Sequence, residues 1–173
     1  MDSLGAQTPV IFAVDAENNI VLTEGDWYTF AHENDGEHLA DVLGDSLWDH
    51  VSDPGLKLFY KGLIGEIRSK KRSHLSYLYR CDGPQEQRLF RMVVEHNSRG
   101  VIRFTSFLEH ATEHTEAAYL VSSSTKANLH ICAECMKVLV EDMWVEICDA
   151  LTAYEILKEN LFFKFTLSKC PCR

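Results

Sequence analysis

The pattern of apolar and polar positions predicts a chain of short strands with one long helix between them. The apolar run Val10–Val14 precedes a polar turn and a second apolar run at residues 20–22, which predicts a β-hairpin. Asp53-Pro54 is a typical helix start, and the apolar residues that follow recur at steps of three and four. This pattern predicts a helix that ends in the basic run at residues 68–72, where cations suit its negative end.

Three further strands are predicted in the middle of the chain. Residues 74–81 and 88–95 are rich in β-favouring side chains, and a third strand is predicted over residues 101–108. Two strands, short helices, a long helix and a three-stranded meander make an α+β fold, with the helices packed on one face of a five-stranded antiparallel sheet. A later helix is predicted over residues 146–158.

The composition changes after the predicted sheet. Residues 111–130 contain few large apolar side chains and a run of three serines, which predicts a linker. A first domain at residues 1–110 would precede this linker, and a small C-terminal cysteine module at residues 131–173 would follow it. A chain of 173 residues suits one ordinary domain with such an addition.

Charge is unevenly distributed along the chain. Residues 1–56 contain twelve Asp or Glu and no Lys or Arg, whereas residues 57–103 contain eleven Lys or Arg and four acidic residues. We favour mutual neutralisation of the two segments over an anion-binding patch, because a net charge of −9 repels nucleic acid over long range. No apolar run approaches the roughly 20 residues of a membrane-spanning helix. We therefore expect neither a nucleic-acid nor a membrane partner.

Four of the six cysteines form two close pairs. Cys132 and Cys135 are separated by two residues, and Cys170 and Cys172 are separated by a single proline, with 34 residues between Cys135 and Cys170. Two pairs at the ends of one short segment predict a single tetrahedral site of four thiolates around a structural Zn²⁺. Disulfides, a redox dithiol of Cys132 and Cys135 and an Fe–S cluster are the alternatives. The second pair is tighter than the commoner C-x-x-C.

The start of the chain bears on these alternatives. It has neither the basic start nor the apolar core of a secretory signal peptide. Disulfides need an oxidising compartment, so we expect a cytoplasmic protein with reduced cysteines.

Several segments carry a resemblance to a known family. They are DWYTFA at residues 26–31, LGDSLWDHV at 43–51 and YRCDGP at 79–84 ahead of RLFRM. Together with the strand order, they resemble a PAS domain, and in particular a group of small bacterial PAS-like proteins. That group has a C-terminal cysteine module, and residues 131–138 are similar to its start. The module typically closes with Cys-Pro-x-Cys, whereas this chain has Cys-Pro-Cys.

The resemblance implies a sensory or regulatory protein without enzymatic activity. Its PAS-like domain would bind a small ligand or a protein partner, and the protein would act through that partner or as a homodimer. The sequence has no phosphate-binding glycine loop, nucleophile elbow or metalloprotease helix. It also lacks the Asn-Cys-Arg motif of light-sensing PAS domains, so flavin photochemistry is not expected.

The alternative function is that of a redox or cofactor protein. It would use the Cys132/Cys135 dithiol, a haem or an Fe–S cluster as its reactive centre. Single histidines such as His50, His74 and His96 are candidates to face a PAS cavity and to ligate haem. The remaining cysteines, Cys81 and Cys148, and two tryptophans, Trp27 and Trp48, are interpreted as core packing.

Overall fold

A computed structural model describes residues 8–33, 36–69, 72–83, 85–115, 127–159 and 163–171. Five strands form an antiparallel sheet in the order β2-β1-β5-β4-β3, and four later strands form a second sheet in the order β8-β7-β6-β9. The strands are β1 (Val10–Val14), β2 (Ile20–Gly25), β3 (His74–Arg80), β4 (Glu86–His96), β5 (Ile102–Glu113), β6 (Ala127–Cys132), β7 (Val138–Val140), β8 (Met143–Val145) and β9 (Phe163–Ser168).

The helices lie between and after the strands of the first sheet. The α-helices are α1 (Trp27–Glu33), α2 (Pro54–Arg68), α3 (Ile147–Thr152) and α4 (Ile156–Glu159), with 3-10 turns at Glu37–Leu39 and Leu47–Asp49. The predicted α+β class and five-stranded antiparallel sheet are confirmed. Within the described ranges, no helix combines the length and the apolar character that a bilayer span requires.

Helix α2 forms where the sequence predicts it. The Asp53 carboxylate accepts a hydrogen bond from the Leu56 backbone N–H at 2.7 Å, and Pro54 occupies the first turn, where its missing N–H costs nothing. The side chains of Phe59, Leu63 and Ile67 are buried in the core. The apolar face of this helix therefore covers the first sheet.

Three segments differ from the predicted elements. Strand β5 continues to Glu113, which pairs with Glu86, so the sheet extends past the predicted domain end at residue 110. Strand β6 begins within the predicted linker. The helix predicted over residues 146–158 is instead the two short helices α3 and α4, because Glu155 adopts a φ of 46° that no α-helix contains.

The second sheet is built around a parallel pair of strands. Strands β7 and β8 form a hairpin whose two turn residues, Glu141 and Asp142, have positive φ angles of 48° and 65°. The chain then passes through α3 and α4 and returns as β9, which pairs with β6 in parallel. Such a crossover brings the end of β9 beside the end of β6.

Helix α2 lies against both sheets. The Phe59 ring stacks on the Phe165 ring of β9, with the ring centroids 4.8 Å apart. Gly55 and Gly62, two turns apart on this face, allow the close approach: an added Cβ would clash with Phe165 at Gly55 and with Ile147 at Gly62. The buried residues of both parts belong to one continuous core.

A carboxylate on α2 completes this contact. Glu66 accepts hydrogen bonds from the backbone N–H groups of Ile147 at 2.9 Å and Cys148 at 3.4 Å. These are the first residues of α3, whose own N-cap residue, Glu146, makes no side-chain cap bond. Glu66 thus acts as an N-cap supplied from another helix.

Candidate metal centre and cavity

The turn after β6 presents two cysteines on one side. The chain reverses over residues 133–137, where Met136 has a φ of 61°. The backbone N–H of Cys132 donates to the Lys137 carbonyl at 2.8 Å, and the N–H of Met136 donates to the Cys132 carbonyl at 3.0 Å. These bonds close the turn and bring Cys135 back beside Cys132.

Strand β9 delivers a third cysteine to the same place. Ser168 is the register partner of Cys132, and its carbonyl accepts a hydrogen bond from the Ala133 N–H at 3.0 Å. Cys170 follows two residues later, and its Sγ lies 3.3 Å from the Sγ of Cys135. The parallel pairing of β6 and β9 is therefore what joins two cysteine motifs that are far apart in sequence.

The three sulfur atoms have the spacing of a metal site. The Sγ atoms of Cys132, Cys135 and Cys170 all lie within 4.8 Å of one another. Tetrahedral Zn²⁺ with Zn–S bonds of about 2.3 Å separates neighbouring sulfurs by about 3.8 Å. These three cysteines could hold a metal ion after small side-chain adjustments.

Backbone N–H groups favour the thiolate form at this site. The N–H of Cys135 is the largest influence lowering the pKa of Cys132, which reaches about 7, and the N–H groups of Cys170 and Glu134 act in the same direction. Burial instead raises the pKa of Cys135, partly offset by the N–H of Lys137. Cys132 thus deprotonates before Cys135, which suits it to bind a cation.

The structure describes only one member of the second cysteine pair, Cys170. Cys172, the predicted fourth ligand, lies outside the described residues. Metal binding needs Cys170 as a deprotonated, reduced thiolate beside Cys132 and Cys135, which are free thiols.

Other candidate ligands lie apart from this group. The Nδ1 atom of His130 is 2.9 Å from the Ser168 hydroxyl, and no histidine belongs to the metal-site group found in the described part of the chain. Burial raises the pKa of Cys148 to about 12 and also raises that of Cys81. These two thiols stay protonated at neutral pH and fit their predicted structural role.

A second candidate site is a cavity of about 190 Å³ between the first sheet and α1. It is lined by Val10, Phe12, Trp27, Phe30, Ala31, Gly36, Leu39, Tyr79, Met92 and Ser106. His50, His74 and His96, the predicted haem-ligand candidates, are not among these lining residues. The sequence predicts Trp27 as a core residue and indicates none of the other lining residues, because they come from six separate segments of the chain.

Comparisons with known proteins assign no family to this chain. No protein-family model, curated protein or solved structure matches this chain. The cysteine group and the cavity are therefore the features that bear on function.

Proposed function

We propose that this chain is a non-enzymatic sensory or regulatory protein with a PAS-like domain and a structural Zn²⁺ site. In this proposal the PAS-like domain binds a small ligand or a protein partner, and the zinc site fixes the C-terminal module. The single observation that supports it best is the grouping of Cys132, Cys135 and Cys170 at the joined ends of β6 and β9. The strand order 2-1-5-4-3 and the cavity beside α1 support the sensory part.

The donor chemistry favours zinc. Sites made entirely of cysteine thiolates are typical of structural, closed Zn²⁺ sites, and Cys172 is the fourth ligand in this proposal. One ion would then tie the turn at residues 132–135 to the end of β9. Because metal binding is coupled to folding, such a site contributes on the order of 10 kcal/mol in small zinc modules.

The site and the cavity would communicate through α2. The metal fixes β9, the Phe165 ring of β9 stacks on Phe59, and α2 covers the sheet that forms one wall of the cavity. A change at either end could therefore alter the packing of α2. The output would be a changed contact with a protein partner or a second copy of the chain, in the cytoplasm, where thiols stay reduced.

A redox function is the second candidate. The observation in its favour is the 3.3 Å approach of the Cys135 and Cys170 sulfur atoms, together with the lowered pKa of Cys132. Thiol exchange proceeds by attack of a thiolate on a disulfide sulfur, and Cys132 has the pKa of such a thiolate.

Elemental analysis and an absorption spectrum of the full chain, purified with a reductant, separate the two. A colourless protein with about one zinc per chain supports the proposal. A visible Fe–S or haem spectrum, or a metal-free protein whose thiols exchange with a disulfide substrate, would support the redox or cofactor alternative instead.

A further inference from the structure

The volume of the cavity beside α1 indicates the size of ligand that fits it. Its volume is about 190 Å³. An engineered apolar cavity of about 150 Å³ in another protein stays dry and binds benzene. The cavity therefore accommodates one six-membered ring with a small substituent.

Four of the ten residues that line the cavity are aromatic, namely Phe12, Trp27, Phe30 and Tyr79. Phe12 of β1 stacks on Phe104 at 4.6 Å, and its ring centroid lies 5.7 Å from that of Trp27 on α1. The indole N–H of Trp27 donates to the Leu39 carbonyl at 2.8 Å, so this polar atom is already satisfied by the protein. The aromatic side chains in the lining favour a flat ring as ligand.

One hydroxyl gives the cavity a directional polar group. Tyr79 Oη donates to Ser106 Oγ at 2.9 Å, and Ser106 Oγ donates to the Met92 sulfur at 3.6 Å. A thioether is a weak acceptor, so a ligand oxygen would be a better partner for the Ser106 proton. Burial raises the pKa of Tyr79, which keeps the Tyr79 hydroxyl protonated as the donor to Ser106.

Charge excludes an anionic ligand. Among the described residues that line the cavity, none is charged. The adjoining hollow contains Arg88, but it also contains Asp26, Glu33 and Glu86, and Arg88 Nε donates to the Cys81 carbonyl. A buried carboxylate without a dedicated cation pays a large desolvation cost.

We propose that this cavity binds a small, neutral, monocyclic aromatic molecule with one oxygen that accepts a hydrogen bond from Ser106. The proposal rests on the proposed sensory function and names the ligand class of its cavity. Phenol represents this class, toluene is its near-isosteric partner without the oxygen, and benzoate adds a charge.

The test is calorimetric titration of the full chain with phenol, toluene and benzoate. One net hydrogen bond corresponds to an affinity ratio of about 2- to 12-fold, so we expect phenol to bind more tightly than toluene by this factor and benzoate to bind more weakly than both. Ser106→Ala should remove the difference between phenol and toluene. Ser76→Ala, on the opposite face of the sheet, is the matched control and should keep it.

Three results would overturn the inference: no binding of any probe, equal binding of phenol and toluene by the unmodified chain, or tighter binding of benzoate. The comparison of probes on the unmodified chain needs no variant, so it stands even if Ser106→Ala misfolds. A different observation would contradict the proposed non-enzymatic function. It is turnover of a substrate by the pure protein at a rate that changes with point substitutions in one pocket.

Discussion

Substitution of Gly55 by alanine tests the contact between α2 and the metal-bearing part of the chain. A Cβ on Gly55 would lie 2.5 Å from the carbonyl oxygen of Phe165 and still closer to its Cβ. Ordinary van der Waals contact needs about 3.4 Å, so strand β9 would have to move by roughly 1 Å. The obstructing atoms include strand backbone, which no side-chain rotation can move aside.

The expected cost follows from this geometry. Overpacking of a tight contact costs about 1–3 kcal/mol, and the shift of β9 would also loosen the Phe59 stack on Phe165. The gain in helix propensity from glycine to alanine, up to about 1 kcal/mol in a helix interior, is small in the first turn. We expect a net loss of about 2 kcal/mol, or a fall in Tm of about 4–8 °C for a chain of this length.

The assay is urea unfolding and differential scanning calorimetry of Gly55→Ala beside Gly65→Ala. The second variant is the matched control, because a Cβ on Gly65 of the same helix meets nothing within 4 Å. Gly65→Ala should stabilise the protein by about 0.5–1 kcal/mol. Equal stability of the two variants would refute the packing of β9 on α2 and with it the proposed connection between the cysteines and the sheet.

Three further predictions concern charge. Glu66→Gln removes the negative charge of the carboxylate that accepts hydrogen bonds from the Ile147 and Cys148 N–H groups. We expect the free energy of unfolding, measured in urea, to fall by about 1 kcal/mol. An unchanged midpoint would show that α3 does not need this cap. Because the pKa of Cys132 is lowered in the fold, its thiolate stabilises the metal-free fold at pH values above the pKa of an unfolded cysteine. This contribution is lost as the pH falls through about 7. Zinc affinity, measured by competition with a chromophoric chelator, should likewise weaken below about pH 7, and a constant affinity from pH 8 to 5 would contradict thiolate ligation.

Local patterns were sufficient to predict much of the first sheet and its helix. Asp53 and the apolar spacing after it define α2, because capping and helical periodicity act over a few residues. The pairing of β1 with β5, in which Val14 meets Ile102, joins distant segments. The sequence does not predict this pairing, since no local pattern encodes it.

The sequence predicts the candidate site only in part, because the pairing that assembles it joins distant segments of the chain. Cysteine spacing predicts Cys132, Cys135, Cys170 and Cys172 as ligands, and the structure brings the sulfurs of the first three together. The parallel pairing that does so, and the glycine at position 55 that lets α2 approach β9, are properties of the packed chain. A glycine in a helix has no sequence signal that distinguishes close packing from simple tolerance.

The zinc content of the reduced full chain shows whether Cys132, Cys135 and Cys170 hold one zinc ion. The comparison is between the unmodified protein, Cys170→Ser and the control Cys81→Ser, whose thiol is remote from the group. We predict about one zinc per chain in the unmodified protein and in Cys81→Ser, and a large loss of zinc in Cys170→Ser. Zinc retained in full by Cys170→Ser, or absent from the reduced unmodified protein, would contradict the claim.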